Sequence, residues 1–387
     1  MESPTMNRRH WMKTSATLAG AMSLLPSIQS FSTPIRAVQM KAQSRFTEEH
    51  IAREFPKLSA RLFANENPFG PSDKAKQAIM SAIDKSYQYP IGNIQQLAEL
   101  IATHEGLTVE NIALAPGSTT LLGASAVYFS SLGAVISGDP SYEDLPGRVE
   151  NLNAKWIKVP LTSDYKLDLD AMEKMITHKT SLVYICNPNN PTGTVLDTAK
   201  LRSFCERVSK KVPVFIDEAY IDYLGDPKDF SMIDLVKAGH NVMIARTFSK
   251  LYGFAGLRAG YVVAQPKMIK TLNLYTWAEA GLNATTVAAA MVAYRDTEFL
   301  KTAFDKTMAS KDFLYDVLKK EGYEYIPSST NFVMFPVHVE AERFVEEMMK
   351  RGVGVRPWKF NKKEWCRVSI GTMEEMQFFA EAFKQVS

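Results

Sequence analysis

The sequence predicts an α/β protein with a large domain, a mostly parallel sheet flanked by helices, followed by a smaller α+β domain. Three observations lead there. Short runs rich in β-branched residues, GAVISGD, SLVYICN, VPVFIDE and NVMIART, alternate with stretches of helical period. The centres of these runs are apolar on successive residues rather than alternating, as in strands buried on both faces. With 387 residues and 46% hydrophobic content, the chain can bury the cores of more than one domain.

Taken in order, the N-terminal region reads, from Met6, MNRRHWMKTSATLAGAMSLLPSIQSFSTP, with paired Arg8 and Arg9, then Trp11, Met12 and Lys13. The apolar run from Thr14 to Leu25 falls short of the roughly 20 residues that span a bilayer. A charged stretch, an apolar stretch and then small residues make the layout of an export signal, and the arginine pair resembles the twin-arginine motif. A basic tail is the alternative. Export by that route carries folded proteins and leads to the periplasm; without it the protein would be cytoplasmic. Cleavage is expected between about Ser27 and Ser44. Residues 1–40 thus read as export signal and linker, 41–70 as an N-terminal arm, 71–284 as the large domain and 285–387 as the small one.

SDKAKQAIMSAIDKS reads as a helix capped by Ser72, with Ala75, Ile79 and Ile83 on one side. NIQQLAELIATHEGL reads as another, ending at Gly106, and DTAKLRSFCERVSK as a helix between strands. A longer helix is expected around 285–305. Beyond it come the strand-like runs TNFVMFPV, GVGVRPW and CRVSIGT, the helical AERFVEEMMKRG and a last helix from about Glu374.

Composition narrows the function. Forty-five basic against 42 acidic residues give +3, which argues against a nucleic-acid surface built on bulk charge. Three cysteines, Cys186, Cys205 and Cys366, lack C-x-x-C spacing, so neither a disulfide framework nor a zinc site is expected. Six histidines show no pair at metal-ligand spacing, and no metal is expected; Cys186 reads as a small apolar strand residue.

Chemistry concentrates at strand ends. After SLVYIC comes NPNNPTG, after VPVFI comes DEAY, after NVMIA comes RTFSK, and IALAPGSTTLLGASAVYF opens a helix directly after Gly117-Ser118-Thr119. Open α/β sheets bind ligands beyond the carboxyl ends of their strands. Within TFSKLYGFAGLR, Lys250 stands among small, aromatic and glycine residues, an environment lysine avoids unless something pairs with it.

These blocks, together with ANENPFGP (64–71), YQYPIG (87–92), GDPSYEDL (138–145) and CRVSIGT (366–372), resemble the fold-type I pyridoxal-phosphate aminotransferases of classes I and II. The closest resemblance is to the histidinol-phosphate aminotransferase family, from about residue 60 to the end of the chain. It implies a pyridoxal 5'-phosphate-binding large domain and transfer of an amino group between an amino acid, or a histidinol-phosphate-like amine, and a 2-oxo acid. Lys250 would carry the cofactor aldehyde as a Schiff base and shuttle the substrate proton. Asp217 would hold the pyridine nitrogen protonated, Tyr220 and Asn190 would bond the phenolic oxygen, and Tyr142 would lie against the ring. Gly117, Ser118, Thr119, Thr247, Ser249 and Arg258 would hold the phosphate, joined by Tyr89 of the partner subunit in a homodimer with shared active sites. Arg367, Arg356 and Asn67 would contact substrate, the last within an arm, Asn65 to Pro68, that closes over it. Thr119 and Thr120 stand where histidinol-phosphate enzymes usually have acidic residues. Two alternatives accompany the reading: a decarboxylase or lyase on the same fold and cofactor, and a non-catalytic binding protein that keeps the fold.

Overall fold

The structure, a computed structural model, describes residues 58–386. The export segment read at 1–40 and arm residues 41–57 lie outside the described residues. After a two-residue arm strand, β1 (Ala60–Arg61), the chain builds a seven-stranded sheet. Its strands are β2 (Ile112–Ala115), β3 (Ala134–Asp139), β4 (Trp156–Pro160), β5 (Thr180–Cys186), β6 (Val214–Asp217), β7 (Val242–Thr247) and β8 (Gly260–Val263), in the order β2-β8-β7-β6-β5-β3-β4. All run parallel except β8, which is antiparallel to both neighbours.

The four apolar runs read as strands are β3, β5, β6 and β7, and each is buried almost throughout. Their side chains divide with period two between the faces of the sheet. Val183, Ile185, Val214, Ile216, Val242 and Ile244 join one apolar cluster, whereas Leu182, Tyr184, Cys186, Phe215, Met243 and Ala245 join another that includes Leu121, Leu122 and Phe129 of the helix Ser118–Ser130. Residues at β2, β3, β5, β6 and β7 carboxyl ends therefore reach the same edge of the sheet. Gly260 of β8 lies in register between Ala115 and Thr247 there, and a Cβ on it would collide with the amide nitrogen of Ser118. Its lack of a side chain lets the helix start pack against the strand.

Local signals set the helix limits. Ser72 Oγ accepts the Ala75 N–H at 3.2 Å to cap Asp73–Ile83, Gly106 ends Ile91–Glu105 at φ 63°, and Asp197 caps Thr198–Val208. Two expectations need amendment. Ala75 is buried and Ile79 packs on the core, but Ile83 is 54% exposed and points away from it, beside exposed Met80. The helix expected around 285–305 is two, Ala284–Ala293 and Thr297–Lys320. The break falls where buried Asp296 pairs with Lys74 at 2.8 Å, and the first of the two packs in the core of the large sheet.

Beyond them, β9 (Phe332–Pro336), β11 (Arg356–Phe360) and β12 (Lys363–Ser369) form an antiparallel sheet in the order β11-β12-β9, and β10 (Val353–Gly354) pairs in parallel with β1. Helices Ala341–Lys350 and Met373–Phe383 supply Phe344, Met348, Phe379 and Phe383 to its core. Leu62 and Phe63 of the arm enter that same core, so the chain returns from β1 toward the large sheet already anchored.

Candidate active site

At the shared strand edge lies a cavity of about 270 Å³, lined by residues of the large sheet, the arm and the three-stranded sheet. The structure brings to it Ser118, Thr119, Tyr142, Asn190, Asp217, Tyr220, Thr247, Ser249, Lys250, Arg258, Arg356 and Arg367.

One end is built for an anion. The helix Ser118–Ser130 begins here, with Gly117 at its N-cap at φ 79°, and the first N–H groups of a helix favour negative charge. A Cβ on Gly117 would overlap the Arg258 guanidinium, so glycine is required both by the backbone angle and by this close approach. Arg258 Nη1 donates to Ser249 Oγ at 3.1 Å and to the Ala255 carbonyl at 3.0 Å. Thr247 Oγ1 accepts the Ser249 N–H at 3.1 Å, which ties the turn carrying Lys250 to the end of β7.

At the centre, Asp217 closes β6 and is 1% exposed. Its Oδ2 accepts the Tyr184 hydroxyl and its Oδ1 the Ala219 N–H, both at 3.1 Å. Burial pushes the carboxyl up to about 6, while those two hydrogen bonds hold it back from rising further. Lys250 Nζ donates to the Asn65 carbonyl at 3.2 Å and lies 5.1 Å from the centre of the Tyr220 ring. Burial, and then the charge of Arg367, pull its ammonium down to about 8. Such a lysine gives up a proton near neutrality, as an amine nucleophile and base must. Tyr220 accepts the Asn65 Nδ2–H at 3.0 Å, leaving its own O–H free to donate into the cavity.

The far end is cationic. Arg356 of β11 and Arg367 of β12 are direct cross-strand partners, a like-charge pairing that destabilises a sheet unless an anion offsets it. Arg367 is 2% exposed; it donates to Asn190 Oδ1 at 2.6 Å and to the Phe63 carbonyl at 3.0 Å, and its Nε has no hydrogen-bond partner among the described residues. Arg356 is exposed at the mouth.

Two of the sequence-predicted residues are elsewhere. Asn67 is buried, but its amide donates to the Leu251 carbonyl at 2.6 Å and its Oδ1 accepts the Phe69 N–H at 3.0 Å. It lines an adjacent cleft, because these bonds turn it away from the cavity; its neighbours Asn65 and Glu66 reach the cavity instead. Tyr89 is 87% exposed and lines a separate groove with Lys74, Asn93 and Arg295. Cys186 packs in the sheet core as expected and also touches the cavity wall. The strand-end motifs did not disclose Tyr184, Ser369 or Asn331. Ser369 accepts the Asn65 N–H at 2.8 Å, and Asn331 holds the Asn65 carbonyl at 3.1 Å. For Tyr184 the sequence did hold a signal, one hydroxyl within an otherwise apolar strand core.

The sequence profile of the family described as "Aminotransferase class I and II" matches residues 60–383. The chain belongs to that family. It is 35% identical to the histidinol-phosphate aminotransferase of Moorella thermoacetica over 342 residues, 87% of this chain and 88% of that one. It is also 35% identical to an aromatic amino acid aminotransferase of Mycolicibacterium vanbaalenii, over 82% of this chain and 90% of that one. Among solved structures, the histidinol-phosphate aminotransferase of Sinorhizobium meliloti in complex with pyridoxal-5'-phosphate superposes with a TM-score of 0.82 at 27% identity, covering 93% of this chain and 99% of that one. The fold-type I architecture, the aminotransferase class and the cofactor, pyridoxal phosphate, therefore stand as the motifs implied, and neither alternative is favoured. Amino acids and 2-oxo acids are the substrates of the class, and among the described residues no helix is long and apolar enough to cross a membrane.

Proposed function

We propose that this aminotransferase takes its amino group from histidinol phosphate, or an amine of the same phosphorylated kind, and passes it to a 2-oxo acid. The observation that carries this reading is the cross-strand pair Arg356 and Arg367 at the cavity end opposite the phosphate cradle. Two guanidiniums side by side suit a dianionic phosphate better than a single carboxylate. The names of several relatives point the same way.

The residues present fit pyridoxal phosphate. Gly117, Ser118, Thr119, Thr247, Ser249 and Arg258 would hold its phosphate, Tyr142 its ring face, and Asp217 its pyridine nitrogen. Lys250 would hold it covalently. When bound, the cofactor supplies an electron sink for the charge left as a proton departs from the amine-bearing carbon. The chain's own residues do the rest. Lys250 Nζ, freed when the incoming amine takes its place on the cofactor and lowered to about 8, would take that proton and return it. The Asp217 carboxylate would keep positive charge at the ring nitrogen, and the Tyr220 hydroxyl, with Asn190, would donate to the phenolic oxygen. Arg367, Arg356 and the Asn65–Glu66 arm orient the amine and cover it from water.

The test offers histidinol phosphate and phenylalanine separately with a 2-oxo acid. The wild type should prefer histidinol phosphate, and Arg356→Ala should raise KM for it about tenfold or more, with cofactor affinity unchanged. Preference for phenylalanine, with no effect of Arg356→Ala, would replace the phosphate reading by an aromatic one. Borohydride reduction and peptide mapping should place the cofactor mass on Lys250.

A homodimer is proposed on separate grounds. Tyr89, Ile91, Met80 and Trp277 are 87, 74, 70 and 91% exposed, and Tyr89 stands outside its own cavity, free to act as Tyr89 of the partner subunit. A monomer mass in solution at micromolar concentration would end this proposal. Export is proposed on the arginine pair Arg8 and Arg9 and on the apolar run and small residues that follow it. It predicts that Arg8→Lys/Arg9→Lys abolishes periplasmic recovery, and equal recovery of both forms would count against it.

A further inference from the structure

The sheet core beneath the cavity contains a polar group that no step above uses. Tyr184 is the fifth residue of β5, 0% exposed, with its ring 6.1 Å from that of Phe215 and no part in the cavity lining. Phenylalanine would fill that space without a buried hydroxyl, and a buried hydroxyl is costly unless bonded. The hydroxyl's partner is Asp217 Oδ2, at 3.1 Å.

The strand register explains the contact. Tyr184 pairs with Phe215 and Cys186 with Asp217, so all four project to one face of the sheet. A tyrosine two residues before the strand end is long enough to lay its O–H along the strand onto the last residue of β6. No smaller side chain there could reach.

We propose that Tyr184 is a positioning residue that keeps the Asp217 carboxyl ionised and fixes its orientation toward the ring nitrogen of the cofactor. This rests on the reading of Asp217 given above. Two donors from different elements, the Tyr184 hydroxyl from β5 and the Ala219 N–H from the turn after β6, each take one carboxylate oxygen and leave the remaining lone pairs to the cavity. The other charged or titratable groups facing Asp217 are Cys186 on β5, Tyr142 and Asp144 after β3, Tyr220 after β6 and Lys250 after β7. Of these, Lys250 favours the ionised carboxyl, Asp144 opposes it, and Lys250 is committed to the substrate proton. The phenol is then the side chain left to hold the carboxylate against the burial that pushes it up to about 6.

The experiment follows the Asp217 carboxyl by carbon-13 NMR in cofactor-free protein, assigned with Asp217→Asn, in wild type and Tyr184→Phe. Its midpoint should rise by about one pH unit or more in Tyr184→Phe, because a hydrogen bond to a carboxylate is among the stronger kinds. The dissociation constant of pyridoxal phosphate at pH 7 should rise about tenfold in parallel. Replacing Tyr184 by 3-fluorotyrosine, a more acidic donor of nearly the same shape, should move the midpoint down, and it keeps the test open if Tyr184→Phe folds poorly. An unchanged midpoint in both variants overturns the proposal, and weaker cofactor binding alongside it would assign Tyr184 to packing alone. Because the titration needs no cofactor, its failure is separate from failure to find cofactor on Lys250.

Discussion

The two halves of the cavity are built differently. In the half made by the large sheet, each charged group is met by a named partner: Asp217 by Tyr184 and Ala219, Arg258 by Ser249 and Ala255, Lys250 by the Asn65 carbonyl. In the half made by the arm and the three-stranded sheet, two arginines face each other across a strand pair, and the Nε of Arg367 has no hydrogen-bond partner among the described residues. The first half is complete before any amine arrives, as a cofactor site must be. The second leaves positive charge to be offset by whatever enters, which is how a shared scaffold changes substrate without changing chemistry.

The largest test of that division is Lys250→Ala. Transamination should fall on the order of 10⁴-fold, since proton transfer loses its base, and borohydride reduction should leave no cofactor on the chain. The cofactor-free variant should meanwhile melt a few degrees higher at pH 7. The lysine is lowered from 10.5 to about 8 in the fold. Below pH 8 both folded and unfolded chains hold the proton, and the fold bears the full cost of a buried ammonium. Between about 8 and 10.5 only the unfolded chain holds it, so wild-type stability rises with pH and the variant's advantage closes. A melting difference that stays level from pH 7 to 10 would mean that the ammonium is not strained.

Asp217→Asn should cost less activity, about 10³-fold, with the cofactor still attached to Lys250. Its stability effect has the opposite pH sense. The carboxyl is raised from 3.8 to about 6, so above pH 6 both states are ionised and the fold bears the cost. Between 6 and 3.8 the folded state alone holds a proton, and wild-type stability improves as pH falls. The cofactor-free asparagine variant should therefore be more stable at pH 8 and lose that advantage near pH 4. The amide can keep both contacts, with its oxygen accepting from Ala219 and its nitrogen donating to a turned Tyr184 hydroxyl.

The sequence disclosed these halves unequally. Strand-end motifs are local: NPNNPTG, DEAY and RTFSK each follow an apolar run, and a parallel sheet carries all such ends to one edge whatever the helices between them do. Asn190, Asp217 and Lys250 stand at those ends, while their roles, and that of Arg258, follow from the resemblance of the motifs to the aminotransferases. Tyr184 stands out in sequence only as a hydroxyl within an apolar strand core; its partner depends on the register between β5 and β6, which periodicity alone does not fix. Motif position points to Asn67 as a substrate contact, yet the choice among Asn65, Glu66 and Asn67 depends on which way each side chain turns. Here the backbone of Asn65 adopts φ 56°, a left-handed conformation that asparagine tolerates, and the alternation of the arm is reset. Ile83 shows the same limit on a helix: its spacing fits the buried face, but the core ends before reaching it.

The smallest effect belongs to Asn65, and it separates the halves most finely because this residue touches both. Its carbonyl receives Lys250 Nζ and Asn331 Nδ2, its amide donates to the Tyr220 hydroxyl, and its Oδ1 accepts from Ser369 Oγ at 2.8 Å. Asn65→Gly retains the left-handed backbone and the carbonyl contacts while removing the amide. The Tyr220 phenol, already raised by burial, loses a donor that favoured its ionised form and should rise further. Its O–H becomes a weaker donor into the cavity and is also free to rotate. The expected result is a loss in kcat of about threefold to tenfold, with KM for the amine little changed. A change confined to KM would instead place the Asn65 amide with the substrate half, and the boundary between the two halves would run between Asn65 and Tyr220.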